Sequence, residues 1–197
     1  MNNSKLNLAI IVGSVRDGRF GPKAAEWFAA EANTYEGYDV NIVDLADYDF
    51  PIDMSRNESV NSFADQIEKA DVIVVVAQEY NHSFGGTLKV ALDALREEWK
   101  GKAVGFVSYG ALSGGLRAVE HLRVVFAELH ATTIRETIAF PMYYQNLDEN
   151  GMPIQTEALA TATRAFLENL EWWGVATREM RSRVPYGQPV ASAIAAD

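Results

Sequence analysis

"DVIVVVAQEYNHSFGGTLKVALDAL", residues 71–95, decides the fold. After Asp71 come Val, Ile, Val, Val, Val and Ala, a continuous apolar run. A short β-branched run of this kind reads as a strand covered on both faces. From Gly86 the composition turns to helix formers, and a helix is predicted over residues 86–98. Between the two lie Gln78, Glu79, Tyr80, Asn81, His82 and Ser83, then the pair Gly85 and Gly86. A plain strand-to-helix corner needs two or three turn residues. This corner carries a set of hydrogen-bonding side chains that turning alone does not require.

The same alternation runs outward in both directions. Residues 6–13, 38–47, 102–108 and 131–140 read as strands. Residues 22–35 begin with Pro, which suits a first helical turn. Val60, Phe63, Ile67 and Ala70 recur at helical spacing, as do Leu116, Val119, Leu122, Phe126 and Leu129. Leu159, Ala162, Phe166, Leu170 and Trp173 repeat it in a last helix. A strand–helix unit repeated about five times predicts one α/β domain with a parallel sheet and helices on both faces. The domain is expected over residues 1–180. Residues 141–153 form a turn-rich insertion, and residues 181–197 a tail, flexible or draped over the surface.

Composition narrows the function. A chain of 197 residues supports one sizeable core. The formal net charge of −10 disfavours a general nucleic-acid or anionic-membrane binder. The absence of cysteine excludes disulfides, thiolate catalysis and Cys-ligated metals. The apolar stretch near the N-terminus is too short for a signal peptide or membrane span, so a cytoplasmic protein is expected. His82, His121 and His130 form no cluster with carboxylates in the sequence, and no metal is expected. Lys89 and Asp93 stand four apart on one helix face, as in a surface ion pair.

In an open parallel sheet the loops after the strands share one edge, where ligands bind. The first such loop, "GSVRDGRFG" (residues 13–21), precedes a helix, whose free N–H groups and dipole favour an anion. Ser14 offers a hydroxyl, and Arg16 and Arg19 can bind phosphate. A Walker loop would need Lys where Arg19 stands, and a dinucleotide fingerprint would need Gly where Val15 stands. A phospho-accepting receiver domain would need Asp at the end of the third strand, where Ala77 and Gln78 stand. In the second loop Asn81 and Ser83 can donate and accept, and Tyr80 offers a flat ring. The third, "SYGALSGG" (residues 108–115), is again polar, aromatic and Gly-rich. Three such loops suggest one elongated ligand, with phosphate at the first and a planar ring between the other two. FMN has that shape.

These residues resemble the NAD(P)H-dependent FMN reductases, a family with a flavodoxin-like fold that includes quinone, azo-dye and chromate reductases. "GSVR" matches the family's first motif. "QEYNHSFGGTLKVALD" matches its second at Glu79, Tyr80, Asn81, Ser83, Gly86, Leu88, Lys89, Ala91, Leu92 and Asp93. "GGLRAVEHLR" looks like its third. The similarity covers residues 6–138. Gln78 and Gly85 replace two prolines, Val90 replaces a common Asn, and Arg19 and Gly21 stand where other members have Ser and Asn on the phosphate.

The resemblance implies a three-layer flavodoxin-like sandwich, with five parallel strands in the order 2-1-3-4-5. It implies FMN as cofactor, with NADPH or NADH giving a hydride to flavin N5 and a small acceptor such as a quinone, free flavin, azo dye or metal oxyanion then taking two electrons. No general acid or nucleophile is assigned, because the flavin does the chemistry. Ser14, Arg16, Arg19, Phe20 and Gly21 would hold the phosphate. Gln78, Glu79, Tyr80, Asn81 and Ser83 would contact ribityl chain and ring. Ser108, Tyr109 and Gly110 would line the other side of the ring. A homodimer or homotetramer is implied. The alternatives are an electron carrier, or a flavin-based redox sensor, without NAD(P)H turnover.

Overall fold

The computed structural model describes residues 5–190. Residues 191–197, the end of the expected tail, lie outside them. The chain folds as β1 (Leu6–Val12), α1 (Gly21–Thr34), β2 (Tyr38–Asp44), α2 (Glu58–Lys69), β3 (Val72–Tyr80), β4 (Ser83–Phe84), α3 (Gly86–Asp93), β5 (Ala103–Tyr109), α4 (Leu116–Glu128), β6 (Thr132–Phe140) and α5 (Glu157–Arg183). The main path of the sheet is β2-β1-β3-β5-β6, all pairs parallel. With the short β4 set aside, this is the expected order. β4 folds back antiparallel on the end of β3, pairing Glu79 with Phe84 and Tyr80 with Ser83.

Strand alternation divides the core. Leu8, Ile10, Val12, Val72, Val74, Val76 and Val107 face α1 and α5. Ala9, Ile11, Ile73, Val75, Val104 and Phe106 face α2, α3 and α4. Residues 72–77 are buried on both sides, which is why that stretch reads as unbroken apolar sequence. Trp99, fully buried, donates Nε1–H to the Leu92 carbonyl at 3.1 Å and closes the end of α3.

The lower edge of the sheet is pinned by charge. Lys102 is buried, and its ammonium donates to the Ile67 and Glu68 carbonyls in the last turn of α2. Burial pushes its pKa down to about 8. Asp71 accepts from the Asn7 backbone N–H and pairs with Arg178 and Arg181 of α5. The last helix therefore runs to Arg183, past Trp173 where its apolar spacing stops. Beyond it Val184 is buried and Tyr186 contacts His130 Nδ1 at 3.1 Å.

Two glycines let α5 lie against the sheet. A Cβ on Gly105 would press into the Phe166 ring, and a Cβ on Gly174 would press on Val72 and stand 2.7 Å from Leu6 Cδ1. Gly174→Ala thus sets two effects against each other. Helix propensity favours Ala by about 1 kcal/mol. Overpacking of a fully buried contact costs about 1–3 kcal/mol. Steric crowding wins, and the urea midpoint is expected to fall. A midpoint at or above wild type would show that α5 can shift away from Leu6 and Val72.

Candidate active site at the upper edge of the sheet

The three loops after β1, β3 and β5 meet at one edge, as the sequence predicts, and side-chain struts tie them together. The first strut is Arg19. Its two terminal nitrogens hold Asp44 at 2.6 and 2.8 Å, and Nη1 also donates to the Ser14 carbonyl at 2.6 Å. Hydrogen bonding to Asp44 raises the guanidinium pKa further, so Arg19 stays charged. Asp44 ends β2 directly beside Val12, which is why it meets the loop leaving β1. Arg19 is thereby committed to shaping the loop.

The second strut is Gln78, buried under the edge. Its Nε2 donates to the Gly13 carbonyl at 3.3 Å, joining loop two to loop one. A Cβ at position 85 would overlap that Nε2. The two departures from the proline pattern, Gln78 and Gly85, are therefore one packing unit. The Gln78 side chain takes the space that a Cβ at position 85 would need.

The third strut is Glu79. Its carboxylate accepts from Ser113 Oγ at 2.5 Å, from the Arg117 backbone N–H at 3.2 Å and from Arg117 Nη1 at 3.1 Å. It caps the N-terminus of α4 from the end of β3, which explains why α4 has no side-chain cap of its own. Burial pushes this carboxyl up, but the Ser113 and Arg117 hydrogen bonds outweigh it and hold it below the usual carboxylate range.

Asn81 and His82 both have positive φ, 48° and 75°, and form the two-residue turn of the β3–β4 hairpin. Asn suits that conformation. The polar corner is thus a tight hairpin rather than an open loop, and it raises Tyr80 into solvent. Tyr80 is exposed, with the Arg16 guanidinium 5.9 Å from its ring centre. Arg16 has no ion pair among the described residues. Ser83 Oγ lies 2.9 Å from His121 Nδ1 on α4. Ser108 is fully buried and donates to the Gly114 carbonyl at 2.8 Å, tightening loop three. Gly110 packs beneath the same loop, where a Cβ would stand 3.1 Å from the Gly115 nitrogen. Phe20 is buried, stacked on Tyr143 of the 141–153 insertion at 4.6 Å.

Two features of the edge fit a phosphorylated ligand. No side chain caps the start of α1, so its first N–H groups face the loop. Ser14 Oγ is buried there without a hydrogen-bond partner. Gln78 Oε1 is likewise unpartnered. Buried polar atoms are nearly always satisfied, and one without a partner in the free chain is a place for a ligand atom or a water. Asp44, Ser113 and Arg117 were missed from sequence. The parallel register, which sets Asp44 beside Val12, was the signal that would have found the first.

An open edge of this kind, on this strand order, defines a flavodoxin-like α/β protein. Residues 6–145 match the family profile described as NADPH-dependent FMN reductase. A 2-hydroxy-1,4-benzoquinone reductase of Burkholderia is 31% identical, over 83% of this chain and 91% of that one. An NAD(P)H-dependent FMN reductase of Schizosaccharomyces pombe is 35% identical over 55% of this chain, and the match spans 60% of that relative's length. Among solved structures, the flavoenzyme NAD(P)H:(acceptor) oxidoreductase FerB of Paracoccus denitrificans superposes with a TM-score of 0.68 at 20% identity, covering 87% of this chain and 98% of that one. The chain belongs to the NADPH-dependent FMN reductase family. It is an oxidoreductase of that family, with FMN as cofactor and NAD(P)H as co-substrate.

Proposed function

We propose that this enzyme reduces quinone-type acceptors. The similarity to a benzoquinone reductase over most of both chains supports that acceptor class. When bound, FMN would supply the two-electron redox chemistry between NAD(P)H and the acceptor. The chain's residues bind and orient. The single observation that carries the placement is the start of α1, uncapped and overlooked by the unpartnered Ser14 hydroxyl, which suits a phosphate. Arg16, without a carboxylate partner among the described residues, neutralises it. Arg19 serves the phosphate indirectly, by fixing the loop through Asp44 and the Ser14 carbonyl. Tyr80 and the Asn81 turn flank the ring on one side and the loop from Ser108 to Gly110 on the other. Gln78 and Glu79 hold these loops at a fixed separation.

The reading includes a cytoplasmic location, where NAD(P)H is available. It also includes a homodimer or homotetramer. Leu112 on loop three and Val124 on the far half of α4, 83% and 69% exposed, support this, since both are large apolar residues open to solvent. Steady-state NADPH or NADH oxidation with a benzoquinone, dependent on added FMN, is the expected activity. Bound FMN with no quinone-dependent NAD(P)H consumption would favour an electron carrier or sensor.

A further inference from the structure

Tyr109 closes β5, and strand alternation puts its side chain on the face of Val107, toward α1. This is away from the outer side of loop three, where a contact with a flavin ring would be made. The phenol is held edge-on by Phe20 at 5.2 Å and by Tyr143 at 5.3 Å, and the residue is 5% exposed. Such packing fixes the direction in which the hydroxyl points. It points to the first residue of α1. A Cβ on Gly21 would overlap Ser14 Oγ and stand 3.2 Å from Tyr109 Oη. Two hydroxyls from different strand ends therefore converge on one spot over the open start of a helix. They are near enough to interact, yet Ser14 Oγ makes no hydrogen bond of acceptable geometry. Arg19, which also reaches this loop, is occupied by Asp44.

We propose that Tyr109 Oη is a hydrogen-bond donor to the terminal phosphate of the bound flavin nucleotide, acting beside Ser14 across the space that Gly21 leaves open. The inference rests on the FMN reading above and moves Tyr109 from the ring to the phosphate. A dianion at a helix start is satisfied by donors, and a phenol supplies one without adding charge. Burial pushes the Tyr109 pKa up to about 12, so the proton stays on the oxygen throughout the neutral range. If Tyr109 served only the aromatic cluster, phenylalanine would serve equally well.

Riboflavin lacks the phosphate and keeps the ring and ribityl chain, so it separates the two roles. Dissociation constants for FMN and riboflavin are measured by flavin fluorescence on wild type and Tyr109→Phe, with the thermal midpoint as a check of folding. For Tyr109→Phe the FMN constant is expected to rise about tenfold or more, the effect of one lost hydrogen bond to a charged group. The riboflavin constant is expected to stay within about twofold, below the size of such a bond. Equal weakening of both flavins would overturn the proposal and return Tyr109 to the ring or the core. No change in either would overturn it as well. If Tyr109→Phe proves too unstable to titrate, Tyr109→Met, which fills apolar space without a hydroxyl and leaves Ser14 and Gly21 untouched, makes the same discrimination. Wild-type protein that binds neither flavin would remove the FMN reading itself, an outcome distinct from a failure of Tyr109 alone.

Discussion

Arg16→Ala is expected to raise the dissociation constant for FMN by about 10- to 150-fold, the cost of about 1.5–3 kcal/mol for a hydrogen bond to a charged partner. The size of the effect follows from what surrounds the residue. Three arginines reach this edge of the sheet. Arg19 is closed into a fork with Asp44, and Arg117 is held by Glu79. Arg16 has no carboxylate partner among the described residues, only the face of Tyr80. It is the cation left for an incoming phosphate, and no neighbour can take its place without giving up a strut. Isothermal titration of the apoprotein with FMN reads the change directly. Unchanged affinity would remove Arg16 from the phosphate site. Because Arg16 is exposed, the variant's thermal midpoint should match wild type, which separates loss of a ligand from loss of fold.

Glu79→Ala should do the reverse, acting first on stability. Its carboxylate satisfies Ser113, the backbone N–H of Arg117 and the Arg117 guanidinium together, and it is nearly buried. Arg117 is half exposed and regains water when the carboxylate is lost, so the cost stays near about 1.5–3 kcal/mol. In a chain of this size that lowers the melting midpoint by roughly 3–12 °C. The effect depends on pH with a definite sign. The folded carboxyl titrates below its ordinary value of 4.5, so its contribution is complete above about 4.5 and is lost as pH falls through the lower, folded value. The gap between wild type and Glu79→Ala should therefore narrow as unfolding is measured at progressively lower pH. A constant gap down to the acid transition would mean that Glu79 supports the loops through packing and not through its charge.

The strands and both helical layers were legible because each rests on a periodicity that burial imposes on sequence, whereas the strand order came from the family resemblance. Residues 72–77 and the face of Val60, Phe63 and Ile67 are of that kind. The differences arise where a contact between distant segments decides. β3 continues to Tyr80 because Gln78 pairs with Tyr109 on β5, and because Glu79 and Tyr80 gain β4 as a partner. α5 outruns its apolar stripe because Arg178 and Arg181 carry it across Asp71, Gly101 and the Lys5 carbonyl. Polar contacts of that sort leave no period in a sequence.

The site divides in the same way. The convergence of three polar, Gly-rich loops on one edge was readable from residue types alone. Individual roles were less so. Arg19 carries the right charge for phosphate, but register sets Asp44 beside it first. Tyr109 carries a ring suited to stacking, but strand parity turns it toward α1. Gln78 and Gly85 read as two losses of rigidity. In three dimensions the glycine makes room for the glutamine side chain.

The absorbance spectrum of the FMN-loaded protein, recorded without air, tests the central claim most directly. Flavin bands should bleach when NADPH or NADH is added and return when a benzoquinone follows. Bands that neither nucleotide bleaches would contradict the account, and would leave a flavin-binding protein that takes no electrons from NAD(P)H.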